Sequence, residues 1–134
     1  MAKILALHGP NLNLLGVREP NIYGSDSLED INKLCRNLCD KKGHEFDSLQ
    51  SNAEGVFIDR LHEARIDGTE FMIVNFGGFT HTSVAIRDAI IASEVSFIEV
   101  HLSNLFSREE YRPVSYTHLR AHETVLDLVC RLLL

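Results

Sequence analysis

The chain is short of the residues that would place it in several protein classes. Three cysteines in 134 residues are too few, and too oddly counted, for a disulfide framework. Thirteen basic residues against nineteen acidic ones leave a net charge of -6. That balance disfavours non-specific nucleic-acid binding, which needs basic patches to displace counterions from phosphate. No apolar run approaches the roughly 20 residues of a membrane span. The opening MAKILALHGP is too short in its apolar part, Ile4 to Leu7, for a secretory signal. There is no tryptophan to stack on a flavin ring, and only four lysines. Lys3, Lys33, Lys41 and Lys42 occupy a strand start and helix faces, and none reads as a desolvated imine-forming amine. What remains is ordinary globular usage, 45% hydrophobic and 24% charged. A soluble, cytoplasmic enzyme or binding domain is expected, large enough for one core.

Apolar periodicity orders the chain. Lys3 to Leu7 reads as a strand stopped by Gly9-Pro10 and buried on both faces. A polar loop runs to about Ser25. Leu28, Ile31, Leu34, Cys35 and Leu38 then recur at helical spacing, with Ser27 as the cap. His44 to Ser51 is a second strand, and Phe57, Ile58, Leu61 and Ala64 mark a second helix ending near Gly68. Phe71 to Asn75 is a buried strand, Val84 to Ala92 a helix capped by Thr82 or Ser83, and Ser96 to Val100 a fourth strand. Alternation of this kind demands an α/β fold with parallel strands, right-handed crossovers and helices on both faces. Ligands of such sheets sit beyond the carboxyl ends of the strands.

The chemically capable residues gather at those ends. Gly9 to Gly16 has the position of a phosphate loop but neither its glycine pattern nor a Gly-Lys-Ser/Thr ending. It is either a plain surface turn or a loop that points the amide of Asn11 into a site. Arg18 precedes Tyr23 in the next loop. A free phenol titrates near 10 and is a poor base at neutral pH, but a guanidinium favours the phenolate. A stacked surface pair is the plainer reading. Asn75 to Ser83 combines two glycines with clustered donors at a helix start, suited to a hydroxylated or anionic ligand or simply to capping. Asp88, one turn into that helix, is by itself a solvated charge. Strand periodicity turns Glu99 and His101 to one side, where a carboxylate fixes the imidazole tautomer and makes His101 a credible general acid. A structural histidine is the alternative. Arg108 and Arg112 follow and would suit an anionic or polyol substrate, or remain surface charges. Cys35 and Cys39 read as core packing, not metal ligands. His118 and His122 lack the glutamate of an HExxH motif. For His8, His44 and His62 no partner is evident.

Taken together, GPNLNLLGVREPNIYG, QSNAEG, NFGGFTHTSVAIRDA and IEVHLSN resemble the type II 3-dehydroquinate dehydratases, or type II dehydroquinases, from residue 3 to Arg112. The resemblance implies a flavodoxin-like three-layer fold with a five-stranded parallel sheet and a homododecamer built from trimers. It implies loss of water from 3-dehydroquinate to give 3-dehydroshikimate, through an enolate, in the shikimate pathway of aromatic amino acid biosynthesis. By the matching positions, Tyr23 would be the base, activated by Arg18. Asn11 would help hold the enolate through a water, and His101, oriented by Glu99, would protonate the departing hydroxyl. Asn75, His81, Leu102, Ser103 and Arg112 match substrate-binding positions, and Asp88 the residue that reaches a neighbouring subunit's site. This chemistry needs no metal or redox cofactor, and the loops lack the lysine of the imine route.

The resemblance stops after Arg112. Residues 113–134 lack the glycine-rich fifth strand expected there, so the reading is a dehydroquinase-like α/β domain over 1–112 and an atypical tail. The tail looks like translated sequencing-adaptor read-through. Its alternative is a divergent terminal helix, since Leu119, Val125, Leu126, Val129 and Leu133 roughly share a face. Without a fifth strand, strand four would present an open edge. Two other readings stand beside the enzyme: a flavodoxin-like flavin or nucleotide domain, and an inactive, truncated dehydroquinase.

Overall fold

The structure, a computed structural model, describes residues 1–17 and 25–101. Strands β1 (Lys3–His8), β2 (Glu45–Gln50), β3 (Phe71–Asn75) and β4 (Ser96–Glu99) form one parallel sheet in the order β2-β1-β3-β4. Helices α1 (Leu28–Lys41), α2 (Glu54–Ala64), the single turn α3 (Phe79–Thr82) and α4 (Val84–Ser93) supply the connections. This is the α/β architecture that strand–helix alternation requires, and the reversal of strand order at β1 and β3 is of flavodoxin type. The tail, the expected absence of a fifth strand and the exposure of β4's outer edge lie outside the described residues.

Local chemistry sets the helix boundaries. Ser27 and Asp30 form a reciprocal capping box at α1: the Asp30 N–H donates to Ser27 Oγ at 3.1 Å, and the Ser27 N–H donates to Asp30 Oδ2 at 3.0 Å. Of the two caps expected for the last helix, Ser83 is the one used, accepting the Ile86 N–H at 3.0 Å. Its extended backbone (φ -98°, ψ 98°) separates α4 from α3, a turn not foreseen in the sequence.

Side chains of alternating parity divide the sheet into two faces. Leu5, Leu7, Met72, Val74 and Phe97 pack with Phe57 and Leu61 of α2 and with Ile86 and Ile90 of α4. On the other side Ile4, Ala6, Phe71, Ile73 and Val100 meet α1 only in part, and an apolar cleft of about 250 Å³ remains between them. The burial on both faces expected for β1 is met from Leu5 to His8. The residues of β3 alternate instead, with Met72 and Val74 buried and Phe71, Ile73 and Asn75 only partly so. Cys35 and Cys39 face this cleft, where burial pushes both thiols up. No helix of the described residues is long and apolar enough to cross a membrane.

Candidate active site

Three loops meet beyond the carboxyl ends of β1, β3 and β4. The first leaves β1 at His8. The Gly9 N–H donates to the Asn75 carbonyl at 2.6 Å, and a Cβ at Gly9 would stand 2.3 Å from the Phe76 carbonyl carbon. Only glycine permits this approach. Asn11 follows in the left-handed region (φ 68°, ψ -5°), just before a 3-10 turn at Leu12–Leu14. Asparagine tolerates that conformation better than most residues. Its backbone N–H donates to Asn52 Oδ1 at 3.0 Å, and its side chain is exposed.

The second loop leaves β3 at Asn75, which the parallel register sets opposite His8. Asn75 Oδ1 accepts the Gly77 N–H at 3.2 Å and so shapes the turn, in which Gly77 has φ 54°. His81 sits on α3, half-buried. Asp88 is exposed on α4.

The third begins at Glu99, the last residue of β4 and 1% exposed. Its carboxylate accepts the Nε2–H of His101. A buried carboxylate needs such a partner, because desolvation of an unpaired one is costly. The tautomer follows: with Nε2 donating, Nδ1 is the nitrogen left for other chemistry, and it has no hydrogen-bond partner among the described residues.

The structure thus brings Asn11, Asn75, His81, Glu99 and His101 to one end of the sheet, with Asp88 on the outer surface. Arg18, Tyr23, Leu102, Ser103 and Arg112 lie outside the described residues. Sequence reasoning left three contributors without a role. Gln50, Asn52 and Glu54, at the end of β2 and the start of α2, reach across to the first and second loops. Their signal is the QSNAEG string, one of the motifs that carry the family resemblance. Two histidines also have partners. His8 Nε2 lies 2.8 Å from Asn32 Oδ1, and His44 Nδ1 accepts the Ala2 N–H at 3.0 Å.

Comparison with known proteins bears on the same arrangement. The family model for dehydroquinase class II matches residues 2–130, and so continues past the stretch ending at Arg112 that the motifs cover. The 3-dehydroquinate dehydratase of Cellvibrio japonicus is 56% identical over 116 residues, 87% of this chain and 78% of that protein. The 3-dehydroquinate dehydratase of Chromobacterium violaceum is 51% identical over 129 residues, covering 96% of this chain and 80% of its own. Among solved structures, the type II dehydroquinase of Butyrivibrio crossotus superposes with a TM-score of 0.87 at 39% identity, covering 99% of this chain and 98% of that one. A match of this extent, on an α/β sheet whose motifs converge at one end, places the chain in the class II dehydroquinase family.

Proposed function

We propose that this chain is a 3-dehydroquinate dehydratase, a lyase that removes water from 3-dehydroquinate to give 3-dehydroshikimate in the shikimate pathway. The observation that carries the reading is the buried Glu99–His101 pair at the carboxyl end of β4, in a chain of this family. A proton beside a ketone is weakly acidic, so the negative charge must be stabilised as it forms. The Tyr23 phenolate, favoured by Arg18, takes that proton, and the electron pair moves into the enolate. Asn11 steadies the enolate through a water. Collapse of the enolate re-forms the carbonyl and expels the hydroxyl, to which His101 gives a proton. With Nε2 committed to Glu99, the donor is the imidazolium form of the ring, which gives up its Nδ1 proton and returns to the Nε2–H tautomer. Asn75, His81, Leu102, Ser103 and Arg112 bind substrate. The products are water and a conjugated enone; no external oxidant or reductant enters.

The same reading gives a cytoplasmic homododecamer built from trimers, in which Asp88 serves a neighbour's site. Its exposure on α4 is compatible with that role. Incubating the purified chain with 3-dehydroquinate should produce enone absorbance. His101→Ala should lower kcat roughly 100- to 10,000-fold, the usual range for a lost general acid. Tyr23→Phe should abolish turnover while sparing ligand binding. Turnover retained by Tyr23→Phe would refute the base assignment, and a monomer in analytical ultracentrifugation would refute the assembly.

A further inference from the structure

The end of β2, the turn after it and the start of α2 carry three polar side chains whose hydrogen bonds reach other loops. The N-cap of α2 is Ala53, with no side-chain hydrogen bond to the helix start. Ser51 closes the turn on itself, its Oγ accepting the Ala53 N–H at 2.9 Å. Gln50, Asn52 and Glu54 reach outward. Gln50 Nε2 donates to the Gly9 carbonyl at 3.2 Å and to Asn52 Oδ1 at 3.3 Å, and Asn52 Oδ1 also accepts the Asn11 N–H at 3.0 Å. Glu54 accepts the hydroxyl of Ser83, whose oxygen in turn accepts the Ile86 N–H.

We propose that Gln50, Asn52 and Glu54 form a brace that positions two loops of the site, holding Asn11 through the first pair and the α3–α4 junction beside His81 through the third. They are positioning residues, since each acts through another group. Asn11 is the most demanding client. Positive φ is uncommon for a non-glycine residue, even one as tolerant of it as asparagine, and here the Asn52 oxygen on one side and the Gly9–Phe76 contact on the other hold it. Released from Asn52, Asn11 would relax toward commoner backbone angles and swing its side chain away. At the second loop Ser83 is the hinge between two helical segments, and a carboxylate on its hydroxyl fixes the orientation of that cap. One turn of chain thereby ties both loops to the rigid edge of the sheet.

The catalytic consequence rests on the dehydratase reading above; the structural consequence does not. The test therefore reads both in the intact chain. Asn52→Ala should lower kcat about 10- to 100-fold, as expected for misplacement of a group near the chemistry by an ångström. KM should move less than kcat. Asn52→Asp keeps the acceptor oxygen and should restore most of the rate. Independently of turnover, amide exchange at Asn11 should quicken in Asn52→Ala while the amides of β1 and β3 stay protected. If Asn52→Ala does not fold, Gln50→Met removes one donor at near-constant volume and should quicken exchange around Gly9–Asn11. Unchanged exchange at Asn11 in the folded variant overturns the proposal. So does a rate loss that follows global unfolding and that Asn52→Asp fails to rescue. A wild-type chain without turnover would overturn the dehydratase reading alone, and exchange would still decide the brace.

Discussion

On the side of the sheet toward α2 and α4, Leu5, Leu7, Met72, Val74 and Phe97 are at most 1% exposed, as are the Phe57, Leu61, Ile86 and Ile90 that cover them. On the side toward α1 no residue of the helix is fully buried among the described residues, although Leu28, Ile31, Leu34, Cys35 and Leu38 form an apolar stripe. Width accounts for the contrast. Among the described residues, a single helix about 10 Å wide lies on this face, which four strands about 4.8 Å apart make some 15 Å or more across. Two helices close the first face. On the second, among the described residues α1 packs over β2, while Phe71 and Ile73 pack against the buried Ile98 and Val100 and line the cleft together with Val100. A strong amphipathic stripe thus predicts where a helix points, while its burial depends on how many neighbours share the face.

Truncation should separate the two faces most sharply. Phe57 is fully buried and meets Phe76 edge-to-face at 5.2 Å between ring centroids. Phe57→Ala should cost about 3–5 kcal/mol in urea unfolding, a loss of transfer energy plus an unrelaxed cavity. Leu34 is 47% exposed, and Leu34→Ala should cost less than about 1 kcal/mol, as for a surface position. Equal costs would show that α1 is held as firmly as α2.

Enlargement should reverse the ranking at a smaller scale. Ala89 on α4 is 4% exposed within the closed core, so Ala89→Leu should overpack it and cost about 1–3 kcal/mol. Cys35 borders the cleft, and Cys35→Leu has room for its extra methyl groups. It should be neutral, or raise the unfolding midpoint slightly. A penalty at position 35 matching that at 89 would mean that the cleft is already filled.

How much of this was legible follows from the range of each interaction. The strands, the three long helices and the parallel sheet rest on local periodicity and capping, and they stand where the pattern of Leu28–Leu38, Phe57–Ala64 and Phe71–Asn75 put them. The contact of Glu99 with His101 spans two residues of an extended chain, so spacing alone suggested it. The pairs Asn11–Asn52, Glu54–Ser83 and His8–Asn32 join residues 41, 29 and 24 apart. Single polar bonds between distant segments leave no period in a sequence; they appear only once the strands are in register. The α3 turn escaped notice for a related reason, as its end depends on Ser83 being held across the loop by Glu54.

The smallest effect concerns the polar tie between α1 and the sheet, and it depends on pH. His8 lies 9% exposed on the cleft side of β1, its Nε2 2.8 Å from Asn32 Oδ1 on α1. Burial lowers its pKa and the Asn32 bond only partly opposes that, so the folded chain resists protonation. The unfolded chain takes up the proton near 6.5, and stability tied to His8 is therefore complete above that pH and declines below it. At the opposite end of the sheet Asp67 titrates in a separate window. Desolvation pushes its carboxyl up, but the Thr69 hydroxyl and N–H, Arg60 and Lys3 outweigh it and hold it at about 2. Its contribution is present above about 4, where an unfolded carboxyl is ionised, and fades as the pH falls toward 2. Urea midpoints between pH 8 and 5 should therefore fall for the wild type and fall less for His8→Gln, whereas Asp67→Asn should leave the slope in that range unaltered. Asn32→Leu removes the bond that favours imidazolium and should steepen the decline. Parallel curves for wild type and His8→Gln would mean that α1 is tied to the sheet by its apolar stripe alone.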